Sequence, residues 1–287
     1  MTGPSMSDSK PPRQALAAIL ALPDEAIDLG QAALLIARQE YPDLEVGRYL
    51  SLLDDMGAEV CRRLRGGEGP MSRIGHLNRY LFDDLGFRGN VEAYDDPRNS
   101  FLNDVLDRRV GIPISLSTVY LEVGRRCGWP LDGVSFPGHF LVRWRDHGGD
   151  SGEILLDPFH RGRILTEEEC RRRLLEQFGG RLAFRREFLR RARTRDILER
   201  TLVNLKRLYE KGQDFHRALR AQDTLLCLSP EDPERLRDRG LLYFRLACFG
   251  QACADLEAYL ERAPDAADRE ALRRQMPKLR SLSPVMN

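Results

Sequence analysis

The chain is short of several things, and each shortage excludes a class of function. It carries almost no net charge, +1 over 287 residues, so no global field draws it to nucleic acid or to an anionic membrane. No apolar run approaches the roughly 18 residues of a membrane span. The opening MTGPSMSDSKPPRQ has no apolar stretch of the secretory kind, and residues 1–13 are expected to form a disordered tail of a cytoplasmic protein. The six cysteines (Cys61, Cys127, Cys170, Cys227, Cys248 and Cys253) include no CxxC pair. Cys248 and Cys253 are five apart, without histidines at zinc spacing. Reduced, buried thiols are expected, with no metal and no cofactor. Lysine is scarce as well, with only Lys10, Lys206, Lys211 and Lys278, which reads as codon usage rather than chemistry.

What is present begins with helices. LAAILAL, AIDLGQAALLIARQEY and VGRYLSLLDDMGAEVCRRL each repeat apolar residues at three- and four-residue steps. Pro23 and Pro42 break the series, and Asp24 and Asp43 behind them are candidate caps. A further amphipathic helix is expected over 72–87, with Ser72 as its cap. An acidic loop then leads to DPRNSFLNDVLDRRVGIPISLSTVYLEVGRRCG. Asn99 or Ser100 should cap a short helix through Arg109. Gly111 breaks that helix and Pro113 opens the next, a position that suits proline because its missing N–H would have no partner there. Gly128 should end it.

LDGVSF, HFLVRW and EILLDPF read as strands, with Gly148 and Gly149 in a hairpin turn between the last two. Thr166 and Glu169 have the spacing of a capping box opening a helix over 166–179. The last third repeats with a period of 34: Leu202 with Leu236, Leu208 with Leu242, Tyr209 with Tyr243, Phe215 with Phe249, Ala218 with Ala252, Leu226 with Leu260, and Pro230 with Pro264. Such a period predicts paired antiparallel helices of the tetratricopeptide type, with a capping helix over 267–282.

The chemistry concentrates on two residues. His139 enters one strand in the turn PGHF, and Asp157 closes the next, eighteen residues on. An imidazole oriented by a carboxylate is the base of a nucleophilic hydrolase. A thiol nucleophile would stand at a helix N-terminus, where its pKa falls.

The stretches NSFLNDVLDRRVGIPISLSTVYLEVGRRCG, PGHFLVRW, DPF, ILERTLVNLKRLY and RDRGLLYF resemble the SirB family, whose members join a transglutaminase-like core to a tetratricopeptide tail. The resemblance covers roughly residues 25–270 and implies an α+β transglutaminase-like (papain-like) core with N-terminal helices, followed by an all-α tail. Domain limits of 14–190 and 191–287 follow. In active members of that superfamily a G-x-C step opens the helix that ends in R-x-x-G. Counting back from Gly128 through Arg125 puts Pro113 at the cysteine position, while His139 and Asp157 match the superfamily His and Asp. Proline carries no nucleophile and no N–H for an oxyanion hole.

The reading is therefore a non-catalytic, protein-binding or regulatory protein that engages a protein or peptide through the tail groove and the core cleft. The alternative is a hydrolase or acyltransferase using Ser115 or Ser117 with His139 and Asp157. Asn99, Asn103, Arg108 and Arg109 are candidate ligand contacts at the cleft. Residues 161–200 carry 13 arginines against 7 acidic residues. Without an aromatic RNA-binding pattern that excess reads as an ion-paired, solvated face rather than a nucleic-acid site.

Overall fold

The computed structural model describes residues 12–145 and 153–282, which form two compact units, one up to Thr201 and one from Leu202. The expected tail over 1–13 and the Gly148–Gly149 turn lie outside the described residues, apart from the start of the first helix at Pro12.

In the first unit α1 (Pro12–Leu20), α2 (Leu29–Arg38) and α3 (Val46–Arg63) form the helical lead-in. Their caps differ from expectation. Asp28, not Asp24, caps α2 by accepting from Gln31 N–H at 2.8 Å, and α3 starts behind Glu45 without any side-chain cap. Asp24 serves another helix, as described below. Helix α4 (Pro70–Asn78) opens on Pro70 and continues into a π-helical turn, Arg79–Asp84. Ser72 is thus inside the helix, bonded to Glu68 rather than capping.

A two-residue parallel pair, β1 (Arg88–Gly89) with β2 (Val110–Gly111), flanks α5 (Leu102–Arg108). The short helix ends at Arg109 in the left-handed conformation (φ 58°), and its N-cap is Phe101 rather than Asn99 or Ser100. Helix α6 (Pro113–Arg126) opens on Pro113 and is buried along most of its length. Strands β3 (Leu131–Val134), β4 (Leu141–Trp144), β5 (Ile154–Asp157), β6 (Arg163–Leu165) and β7 (Arg191–Ala192) make one antiparallel sheet in the order β6-β5-β4-β3-β7. Helix α6 packs on β3 and β4. Helix α7 (Glu167–Phe178) carries the expected Thr166–Glu169 capping box.

Helix α8 (Thr194–Lys211) begins in the first unit and ends in the second. The division between the two units falls within this helix. Asp24 caps this helix from 170 residues away, accepting from Thr194 N–H at 3.0 Å and Arg195 N–H at 2.9 Å. That is why a sequence search for local caps misassigns it.

The second unit continues with α9 (Phe215–Leu228), α10 (Pro233–Arg245), α11 (Phe249–Arg262) and α12 (Arg269–Leu282). Ala218 and Ala252, one period apart, are fully buried, and Leu236, Leu256, Tyr259 and Met276 form the core around the second of them. The 34-residue period and the capping helix are both realised.

Candidate active-site dyad and tail groove

His139 follows a tight turn in which its own N–H donates to Phe136 O at 3.0 Å. Arg200 donates to the same carbonyl and to Ser135 Oγ, both at 3.1 Å, so α8 fixes the loop from beneath. Asp157 ends β5 and starts a short 3-10 turn, Pro158–His160. Antiparallel pairing of β4 with β5 then brings the two side chains together: His139 Nε2 lies 2.9 Å from Asp157 Oδ1. Both are buried, at 8% and 0% exposure.

Two partners of Asp157 were not legible in the sequence. His160 Nδ1 donates to Oδ2 at 2.8 Å, and Arg173 on α7 stands 2.9 Å from the same oxygen. The DPFH spacing offered a signal for His160, because a turn returns residue i+3 to residue i. Arg173 lay hidden in the RRR run. Burial pushes the Asp157 carboxyl up, but the hydrogen bonds from His139 and His160 outweigh it and hold the group well below the usual carboxylate range. Burial holds His139 below the ordinary histidine value, against the opposing pull of Asp157. The pair is therefore a carboxylate beside a neutral imidazole. Asp157 fixes Nε2 as the protonated nitrogen and leaves Nδ1 as the basic one.

His139, Asp157 and His160 are also a three-ligand group, with ligand atoms within 4.8 Å of one another. Arg173 already supplies a positive charge at the carboxylate, so the arrangement fits a hydrogen-bonded network better than a cation site. Phe159 closes the ring side, edge-on to His139 and to Tyr94 at centroid distances of 6.0 and 6.3 Å. It rests on Gly89, where a Cβ would come within 2.6 Å of the ring.

The candidate nucleophiles are placed otherwise. The Ser115 hydroxyl is buried and donates to Asn99 O at 2.5 Å while accepting from Ile112 N–H at 3.0 Å. It closes the first turn of α6, and no hydrogen bond joins it to His139 among the described residues. Ser117 is fully buried and its Oγ has no hydrogen-bond partner among the described residues. Asn99 holds the acidic loop, donating to Ala93 O at 2.7 Å and accepting from Asn90 at 3.0 Å. Asn103 is buried with an unpaired Oδ1. Arg108 reaches Asp96 at 3.4 Å, and exposed Arg109 donates to Leu85 O at 2.7 Å. None of these four bonds to the dyad among the described residues. A cavity of about 940 Å³ bounded by Arg143, Leu155, Leu165 and Arg190 has neither His139 nor Asp157 in its lining.

The arginines of 161–200 are largely paired. Arg171 and Arg186 meet Glu167, Arg163 meets Glu169, Arg193 meets Asp196 and Arg191 meets Asp132, as expected for an ion-paired face.

In the second unit, an apolar groove of about 360 Å³ lies between α10, α11 and α12, lined by Leu241, Phe244, Leu256, Met276 and Leu282 with Lys278 at its edge. Leu241, Phe244 and Leu282 are 43%, 46% and 44% exposed. Helix α12 carries five basic residues against Glu270 alone.

A buried His–Asp pair across an antiparallel strand pair, beside a helix that should present the nucleophile, defines a transglutaminase-like core, here followed by tetratricopeptide helices. A profile of the transglutaminase-like superfamily matches residues 47–203, and a tetratricopeptide profile matches residues 205–277. A UPF0162 protein of Xylella fastidiosa is 44% identical over 257 residues, 87% of this chain and 89% of that protein. A UPF0162 protein of Vibrio cholerae is 31% identical, over 88% of this chain and 92% of that protein. Human F-box only protein 21 is 29% identical over 80% of this chain, which spans 41% of that protein. The chain belongs to the transglutaminase-like superfamily and, within it, groups with the UPF0162 proteins. No solved structure matches it. Among the described residues, no helix is long and apolar enough to cross a membrane.

Proposed function

We propose that this protein is a non-catalytic binding or regulatory module, in keeping with its resemblance to the SirB family. The observation that carries the reading is the state of the α6 N-terminus. It opens on Pro113, and the nearest hydroxyl, Ser115, is occupied by capping bonds. A base and its orienting carboxylate thus stand ready with no nucleophile between them and the helix end. Ser115 acts as a capping residue in this account. Asn99, Asn103, Arg108 and Arg109 shape the loop beside the core, and any contact they make with a ligand is part of the proposal. No cofactor or metal is required.

The tail groove is where a partner binds. Its exposed leucines and Phe244 suit the apolar side chains of a polypeptide, and the basic α12 favours acidic residues beside them. The test is fluorescence anisotropy with short labelled peptides, leucine-rich in acidic, neutral and basic backgrounds, run beside amide and ester turnover assays. The account expects saturable binding of the acidic set, reduced tenfold or more by Leu241→Asp, and no turnover. His139-dependent turnover by the wild type would overturn it.

The serine-hydrolase reading keeps one observation in its favour, the buried and unpartnered Ser117 hydroxyl. Ser117→Ala separates the two, because only the hydrolase reading ties a change in reactivity to that residue.

A further inference from the structure

Outside the dyad, the fold brings together two cysteines far apart in sequence. Cys61 lies on the last turn of α3 and Cys127 caps the C-terminus of α6, yet their sulfurs are 2.6 Å apart. The two helices come together at Gly57, one turn before Cys61. A Cβ at Gly57 would meet Arg126 Cβ at 2.5 Å, so only glycine lets α6 in this close. The Cys127 sulfur sits 3.4 Å from Gly57 O. Cys61 is exposed, and Cys127 is half-buried. This corrects the expectation that all six thiols are buried, since among them only Cys170 and Cys253 are.

Two thiols so placed serve either a metal or each other. A metal needs further ligands, and the only metal-competent group among the described residues is the His139 cluster.

We propose that Cys61 and Cys127 form a thiol–disulfide exchange site that closes into an intramolecular cross-link between α3 and α6. The oxidant is a small-molecule disulfide. The Cys61 thiolate attacks one of its sulfurs, forming a mixed disulfide and releasing the first small thiolate, which takes up the proton Cys61 gave up. Cys127 then attacks the Cys61 sulfur. The mixed bond breaks, the Cys61–Cys127 bond forms, and the second small thiol leaves with the Cys127 proton. Two protein thiols are oxidised and one disulfide is reduced to two thiols. Cys61 is the entry point because it faces solvent. Burial, reinforced by Cys61, pushes the Cys127 thiol up to about 12, so it does not start the exchange. The bond would fasten α6, which packs on the Pro158–His160 turn, to the outer helix at its other end.

The test uses the full chain with oxidised glutathione, read by intact mass and by peptide mapping without reductant. The expected wild-type product has a linked Cys61–Cys127 peptide about 2 Da lighter than its two dithiol peptides together and a higher unfolding temperature, its intact mass being raised only by the glutathione on exposed Cys227. Cys127→Ser should stop at a glutathione adduct on Cys61, and Cys61→Ser should leave Cys127 unmodified over the same time. Exposed Cys227 is the internal control, forming an adduct without a cross-link. A wild type that stays as the Cys61 adduct, or links Cys61 to another cysteine, overturns the proposal. So does a Cys127 that reacts equally fast without Cys61.

Discussion

Asp157 receives His139 Nε2 on one carboxylate oxygen at 2.9 Å and His160 Nδ1 on the other at 2.8 Å, with the Arg173 guanidinium ion-paired 2.9 Å from that second oxygen. A fully buried carboxylate held by two imidazoles and an ion pair is a structural keystone whether or not any reaction occurs. Asp157→Ala leaves Arg173 and His139 beside a hole, and breaking a buried pair this way costs about 3–5 kcal/mol. His160→Ala, on a half-exposed ring, should cost less than about 1 kcal/mol. Urea denaturation of the two variants checks the ranking, and equal losses would contradict it.

Acid should destabilise the core in two stages. His139 binds its proton less readily in the fold than the ordinary histidine value of 6.5. The unfolded chain therefore protonates first, and the stability His139 contributes is full above about 6.5 and declines as pH falls toward its folded pKa. Asp157 is held below the ordinary 3.8, so its contribution is full above that value and is lost as pH falls further. Denaturation midpoints should drop from pH 7 to pH 5, and His139→Gln should flatten that drop. A wild-type midpoint that is constant or rises over this interval would contradict the assignment of a neutral imidazole.

Asp24 ties the lead-in to α8, and removing an N-cap acceptor costs about 1 kcal/mol, up to about 2. Asp24→Ala should show that loss in chemical denaturation. Exposed Asp43, which caps no helix among the described residues, should give no measurable change on the same substitution.

Ser115→Ala leaves the Ile112 N–H and the Asn99 carbonyl buried without their partner, for an expected cost of about 1–3 kcal/mol. The change should appear in stability and leave electrophile labelling as it was. Labelling lost at unchanged stability would make Ser115 a nucleophile instead of a cap.

Much of the fold was legible because its signals are local. Gly128, Thr166 with Glu169, and the 34-residue repeat each state an element within a turn or one period. His139 and Asp157 were legible because each sits at a strand end in a recognisable order. What escaped depends on distance in the chain. Asp24 looked like a cap for its neighbours and caps a helix near residue 194. Arg173, in the run 171–173, and Arg200, in an arginine-rich stretch, differ from their neighbours only in what the fold puts opposite them. The Cys61–Cys127 approach is set by a glycine on one helix and the end of another, which no spacing rule encodes. Two-residue strands such as β1 and β2 are too short to show any alternation.

We propose that the core holds a base and its orienting carboxylate without a nucleophile. Intact-mass labelling with thiol- and serine-directed electrophiles tests it most directly, comparing wild type, His139→Ala, Ser115→Ala, Ser117→Ala, Pro113→Cys and Pro113→Cys with His139→Ala. Cys61 and Cys227, the exposed native thiols, are replaced by serine throughout. The account predicts that Pro113→Cys labels fast at residue 113 only when His139 is present, and that the wild type gains no label at Ser115 or Ser117. Wild-type labelling of either serine that disappears with His139 would contradict it and make the protein an enzyme.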